Sequence, residues 1–191
     1  MTRTPSMARR VSRLPLSAAL FAALLPVVAA GETAQRPDTA PSMTASPLTT
    51  APIIDGDVLG DAAWADAEPA TGFWQTKPND GAAATQRTEV YVGFTGSALL
   101  IGVVALDDSP AEIIVTDSRR DSDLDNTDAF LVIIDGQLDR QNGYIFGTNA
   151  AGIEYDGQLV PEATTNFRFG EGFNRNWDGS WSVQSRIGDY G

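Results

Sequence analysis

The sequence predicts an all-β chain, an antiparallel β-sandwich of immunoglobulin-like or jelly-roll-like type. Two observations carry this. Short apolar runs alternate with period two, and they recur at about 8–15-residue spacing between Gly- and Asn-bearing turns. Only Leu59–Asp66 has the pattern of a helical turn, and there is no fixed-period repeat and no phosphate-cradling Gly-rich loop.

The first segment is of another kind. Residues 1–13 carry Arg3, Arg9, Arg10 and Arg13 and no acid; an apolar run from Leu14 to Val28 follows, then Ala29 and Ala30. A basic start, an apolar middle and a small-residue end read as a secretory signal peptide over 1–30. The alternative is a single membrane anchor. Against it, the run falls short of the roughly 20 residues of a span, and Pro15 and Pro26 interrupt it. Export to a bacterial periplasm, outer membrane or medium is the expectation. Cleavage would leave nine basic and 25 acidic groups, a net charge of -16 against -12 for the whole chain.

Residues 31–52 are rich in Pro, Thr, Ser and Ala. Pro37, Pro41, Pro47 and Pro52 oppose regular pairing, so this stretch reads as a linker. The globular part is expected over 53–191. Thr88–Thr95 alternates, with Val90, Val92 and Phe94 on one face. Ala98–Leu106 is apolar on both faces, the pattern of a central strand. Asp128–Asp135 is a third strand. Gly143–Asn149 and Gly152–Asp156 read as a hairpin, and Ser180–Arg186 alternates with Trp181 and Val183 inward. Trp64, among small apolar residues, reads as core. The chain stops in a turn at Gly188–Gly191, so the sandwich reads as truncated at its C-terminus, a gene product or fragment lacking its closing strands.

Composition narrows the chemistry. With no His and no Cys, the chain has no Ser-His-Asp triad, thiolate nucleophile, His-ligated metal, disulfide or iron–sulfur cluster. A pI near 4.2 argues against nucleic acid, which needs clustered Lys and Arg. Carboxylate, amide and aromatic chemistry remains, suited to hard cations and sugars. Between Asp107 and Asp139 lie ten acids against two arginines, Arg119 and Arg120. Asp121, Asp123, Asp125 and Asp128 are spaced so that their oxygens could converge on calcium. The run lacks the glycine and final glutamate of an EF-hand, and a solvated acidic loop is the plain alternative. Adjacent Phe73 and Trp74 cannot both point inward on a strand. Trp74 and Trp177 are therefore the candidate sugar platforms. No spacing singles out a catalytic pair among 25 acids.

A family resemblance adds to this. Pro52-Ile-Ile-Asp55-Gly56, then Leu59, Asp61 and Trp64, resembles the opening of family 9 carbohydrate-binding modules. Thr88–Phe94, Ala98–Asp107, Asp128–Asp135 and Tyr144–Asn149 follow in that family's strand order. The set Arg119-Arg120-Asp121, Asp128, Asp139-Arg140, Tyr144, Phe146, Asn149, Gly152, Asp156, Trp177-Asp178 and Trp181 is similar to an exported bacterial subgroup. There the module precedes a large C-terminal domain, often a membrane β-barrel. The resemblance implies a non-catalytic β-sandwich that binds polysaccharide or oligosaccharide, in some members with structural calcium. Asn149 stands at the family's strand-end Asn. The family's clamp Trp, Glu and Arg fall here on Asp125, Leu131 and Gly147, and its second clamp Trp lies past Gly191. The alternative is a structural or interaction cap of an outer-membrane protein, without sugar affinity.

Overall fold

Two alternating apolar pairs of strands generate the two sheets. In the computed structural model, residues 36–159 and 173–191 are described; the 1–30 segment lies outside them. β1 (Ser46–Pro47), β2 (Thr88–Phe94) and β3 (Leu99–Ala105) form one sheet in that order. β4 (Ala129–Ile134), β5 (Gly143–Asn149), β6 (Tyr155–Leu159) and β7 (Phe173–Asn174) form the second. All pairings are antiparallel except β1 with β2, so the chain is all-β with two small sheets, consistent with a sandwich. No described helix is long and apolar enough to cross a membrane.

In the first sheet, Tyr91 pairs with Gly102, and Glu89 with Val104. Trp64, at the end of a 3-10 turn over Ala62–Trp64, covers that face. Asp61 caps the turn by accepting from the Ala63 N–H. The indole lies 5.9 Å from the Tyr91 ring, over Gly102, where a Cβ would meet it at 3.1 Å. Both the helical turn and the core placement of Trp64 match expectation.

The second sheet carries the main core. Period two sends Ile145 and Tyr155 to one face, where they meet Leu124 and Ile153, with Leu131 and Leu159 alongside. Ile145 is 0% exposed. Burying such a side chain contributes about 1.5–3 kcal/mol.

Four expectations are corrected. Among the described residues β3 is an edge strand, not a central one, and β4 is an edge as well; Leu99, Phe94 and Ile133 remain exposed, so apolar content alone does not fix a strand's rank in its sheet. The second hairpin arm begins at Tyr155, three residues later than Gly152. Gly152 takes φ +72 and donates to the Asn149 carbonyl, which extends the turn. Residues 180–186 alternate in burial as expected but join no ladder; Trp181 packs on Phe146 and Ser185 Oγ donates to the Ala150 carbonyl. Within the linker, Ser46–Pro47 pairs with Gly93–Phe94, and Leu48 fills the space above Gly93. Pro47 is tolerated there because an edge strand leaves one side of the backbone unpaired.

The last residues tie the two sheets together. Ser185 and Arg186 lie against Gly56 and Gly152, Arg186 pairs with Asp57 at 3.0 Å, and Asp107 N–H donates to the Tyr190 carbonyl.

Candidate functional site

The alternation that buries Ile145 turns Tyr144 and Phe146 to the opposite face of β5. Asp156 stands beside Phe146, and Gln158 beside Tyr144, in the register with β6. Across these rings lies the segment after β7. Trp177 stacks 4.7 Å from Tyr144 at 33° and meets Phe146 edge-on at 5.9 Å. Trp181 meets the Phe146 ring at 5.2 Å and 71°. Gly179 passes between them, where a Cβ would contact Trp177, Asp156 and Phe146. Four rings thus share one face, each half-buried.

A charged cluster borders the rings. Arg120 Nη2 donates to Asp156 at 3.0 Å and Asp178 at 2.9 Å; Nη1 donates to Glu154, and Nε lies 3.4 Å from Asp121. The Asp156 side chain is 1% exposed. Its second oxygen accepts the Gly179 N–H at 2.5 Å, which fastens the Trp177–Trp181 segment to β6. Burial works against the charge on Arg120, but Asp156, Asp121, Asp178 and Glu154 outweigh it and raise the guanidinium pKa. Asp121 takes φ 57 at this corner, and Arg175 donates to its carbonyl at 2.9 Å.

Asp121, Asp156 and Asp178 each offer a carboxylate oxygen, all within 4.8 Å of one another, so this cluster could hold a metal ion. It is a different set from the one the spacing suggests. Leu124 is drawn into the core, and its exposed neighbours Asp123 and Asp125 face solvent. Asp123 accepts from the Asp125 N–H in a local turn. Asp128 is taken up by the Ile114 N–H at 2.6 Å. Of the four, only Asp121 joins the cluster.

The three sugar candidates are also separated. Trp177 lies in the aromatic face. Trp74 belongs to the loop before β2, bridged to Ala83, with the Arg36 guanidinium 6.0 Å from its ring. Asn149 sits on the core side of β5, 3% exposed. Its amide donates to the Asp117 carbonyl at 2.7 Å and accepts the Ala151 N–H at 2.9 Å, so its polar groups are spent on the turn. Among the described residues no ring contact joins Trp74 to Trp177.

Tyr144, Phe146, Asp156 and Asp178 were not singled out as site residues by sequence reasoning. The signal was there in Tyr144-x-Phe146, two rings on the outward positions of a strand whose inward positions are Gly and Ile. A groove of about 470 Å³ lies elsewhere, between residues 46–50 and 61–67. It is lined by Leu48, Asp61, Asp66 and small residues without an aromatic ring, and offers no stacking platform.

No family model matches the chain, and no curated protein or solved structure does either.

Proposed function

We propose that this chain is a non-catalytic carbohydrate-binding module of an exported bacterial protein, linked to polysaccharide breakdown. The observation that carries the reading is the grouping of Tyr144, Phe146, Trp177 and Trp181 on one sheet face beside Gln158, Asp178 and Arg120. Flat rings suit the C–H faces of a pyranose, and bordering amide, carboxylate and guanidinium groups suit its hydroxyls. Affinity electrophoresis on cellulose, xylan and β-glucan tests it. Retardation of the wild type that Trp177→Ala abolishes is expected; free migration of the wild type in all three would overturn it.

Calcium is the finer proposal for the metal. Three Asp carboxylates offer hard oxygen ligands, but the Arg120 guanidinium already bridges them. A cation would have to displace it. Calcium is therefore expected to bind weakly to the wild type and better to Arg120→Gln, read as a rise in melting temperature on titration.

A second reading is favoured by one observation. Trp177 and Trp181 fill the sheet face from within the chain, and Asp156 ties them down through Gly179. A face so covered suits a structural or docking cap for an outer-membrane β-barrel. A downstream frame encoding a barrel, together with absent sugar retardation, would favour it.

A further inference from the structure

Strand edges are templates for pairing, and among the described residues two of the four edges are shielded by their shortness and a third is met at one end. β1 and β7 are two residues long, and β1 contains Pro47. The edge of β3 is met at its end only, where Gly191 lies against Ala105 and the Asp107 N–H donates to the Tyr190 carbonyl. β4 differs. Its sequence, Ala-Phe-Leu-Val-Ile-Ile, has no charge, no proline and no bulge, the devices that ordinarily protect an edge.

The free backbone groups of β4 can be assigned. A Cβ on Gly147 would lie 3.4 Å from the Phe130 carbonyl oxygen, and one on Gly143 3.1 Å from that of Ile134. Both carbonyls therefore point into the β4–β5 ladder. Alternation sends the N–H and C=O groups of Ala129, Leu131 and Ile133 outward, and no backbone partner meets them among the described residues. Ile133 is 46% exposed although it shares the core face with Ile145. The core stops one strand short of covering it.

We infer that β4 is the contact by which two copies of this chain form a dimer, antiparallel and centred on Leu131. Three features select a second copy in this orientation. The outward groups are symmetric about Leu131, so Ala129, Leu131 and Ile133 face Ile133, Leu131 and Ala129 of the second copy, each pair exchanging two backbone hydrogen bonds. Side-chain sizes match: the exposed Ile133 lies opposite a small alanine, and Phe130 lies opposite Val132. Like charges are also kept apart, because Asp128 falls opposite Ile134 and Asp135 opposite Thr127. Parallel self-pairing would instead set each of these acids against itself, which is unfavourable. A strand pair of this length lies at the small end of specific interfaces, below about 1,200 Å². The dimer is accordingly concentration-dependent, and it strengthens with salt because each copy carries a net charge of -12.

Sedimentation velocity on the whole chain at rising concentration and salt, with amide exchange, tests this. The expected result is a monomer–dimer equilibrium with exchange slowing at Leu131 and Ile133 as the dimer fills. Ile133→Lys should abolish the dimer, Ala129→Lys serving if that variant does not fold. Leu138→Lys, at an exposed position off the strand, should leave it intact. A wild type monomeric throughout, a dimer that survives both lysines, protection growing at β3 instead, or open-ended aggregation would each overturn the inference.

Discussion

Replacing Asn149 by alanine separates a ligand contact from a structural one. The side chain is 3% exposed and makes two hydrogen bonds, to the Asp117 carbonyl at 2.7 Å and from the Ala151 N–H at 2.9 Å. Each bond contributes about 0.5–1.5 kcal/mol, and a partner left buried without a replacement costs about 1–3 kcal/mol. Water reaches Ala151, which is exposed, so the larger cost falls at Asp117. A loss of about 2 kcal/mol is expected. In a domain of this size that lowers the melting temperature by roughly 4–8 °C. Urea unfolding followed by tryptophan fluorescence reads the free energy, and retardation on the polysaccharide that the wild type binds reads the ligand. Lower stability with unchanged retardation of the folded fraction is the expected pair. A variant of wild-type stability that has lost its retardation would refute the structural assignment.

Other outcomes follow from the same geometry. Ile145→Ala, at the centre of the core, should cost about 2–5 kcal/mol in urea unfolding, whereas Leu138→Ala, 88% exposed, should change almost nothing. The Arg119 side chain, by hydrogen bonding, holds the Asp117 carboxyl down at about 2. A depressed carboxyl contributes stability fully above its unfolded value of 3.8, and that contribution fades as pH falls towards about 2. Carbon NMR should find this titration low in the wild type and moved up in Arg119→Ala, while the backbone N–H groups of residues 118 and 119 still hold it below 3.8. Gly102→Val should destabilise the first sheet, because even a Cβ there meets Val58 at 3.0 Å and Trp64 at 3.1 Å; thermal unfolding checks it.

Local pattern made some of this legible and not the rest. Thr88–Phe94, Leu99–Ala105, Ala129–Ile134 and Gly143–Asn149 lie within the runs that alternation marks, because side-chain burial and strand period are both local properties. Strand order is not local. Nothing within Leu99–Ala105 distinguishes a central strand from an edge, and the difference lies in which segments come alongside. The metal candidates divide for the same reason. Asp121 to Asp128 are neighbours in sequence, yet insertion of Leu124 into the core sends Asp123 and Asp125 outward. The carboxylates that do converge on Asp121 come from residues 156 and 178, which no spacing rule within the loop could supply. Arg120 was visible only as relief for an acidic run; its four partners are fixed by three separate segments.

The stitching of both sheets by residues 185–191 bears on how the chain folds. The Arg186–Asp57 pair closes a span of 129 residues, and the Tyr190–Asp107 bond joins the last residues to the first sheet. Closing so long a loop forfeits chain entropy before any contact compensates for it, and topologies rich in distant contacts fold slowly. On a ribosome, or emerging vectorially from any channel, the hairpins β2–β3 and β5–β6 can form early from neighbouring residues. The clasp that joins them must wait until residues 185–191 have emerged. Until then the aromatic face awaiting Trp177 and Trp181 stays open, and this interval is when the nascent protein is most exposed to proteases and to its own copies.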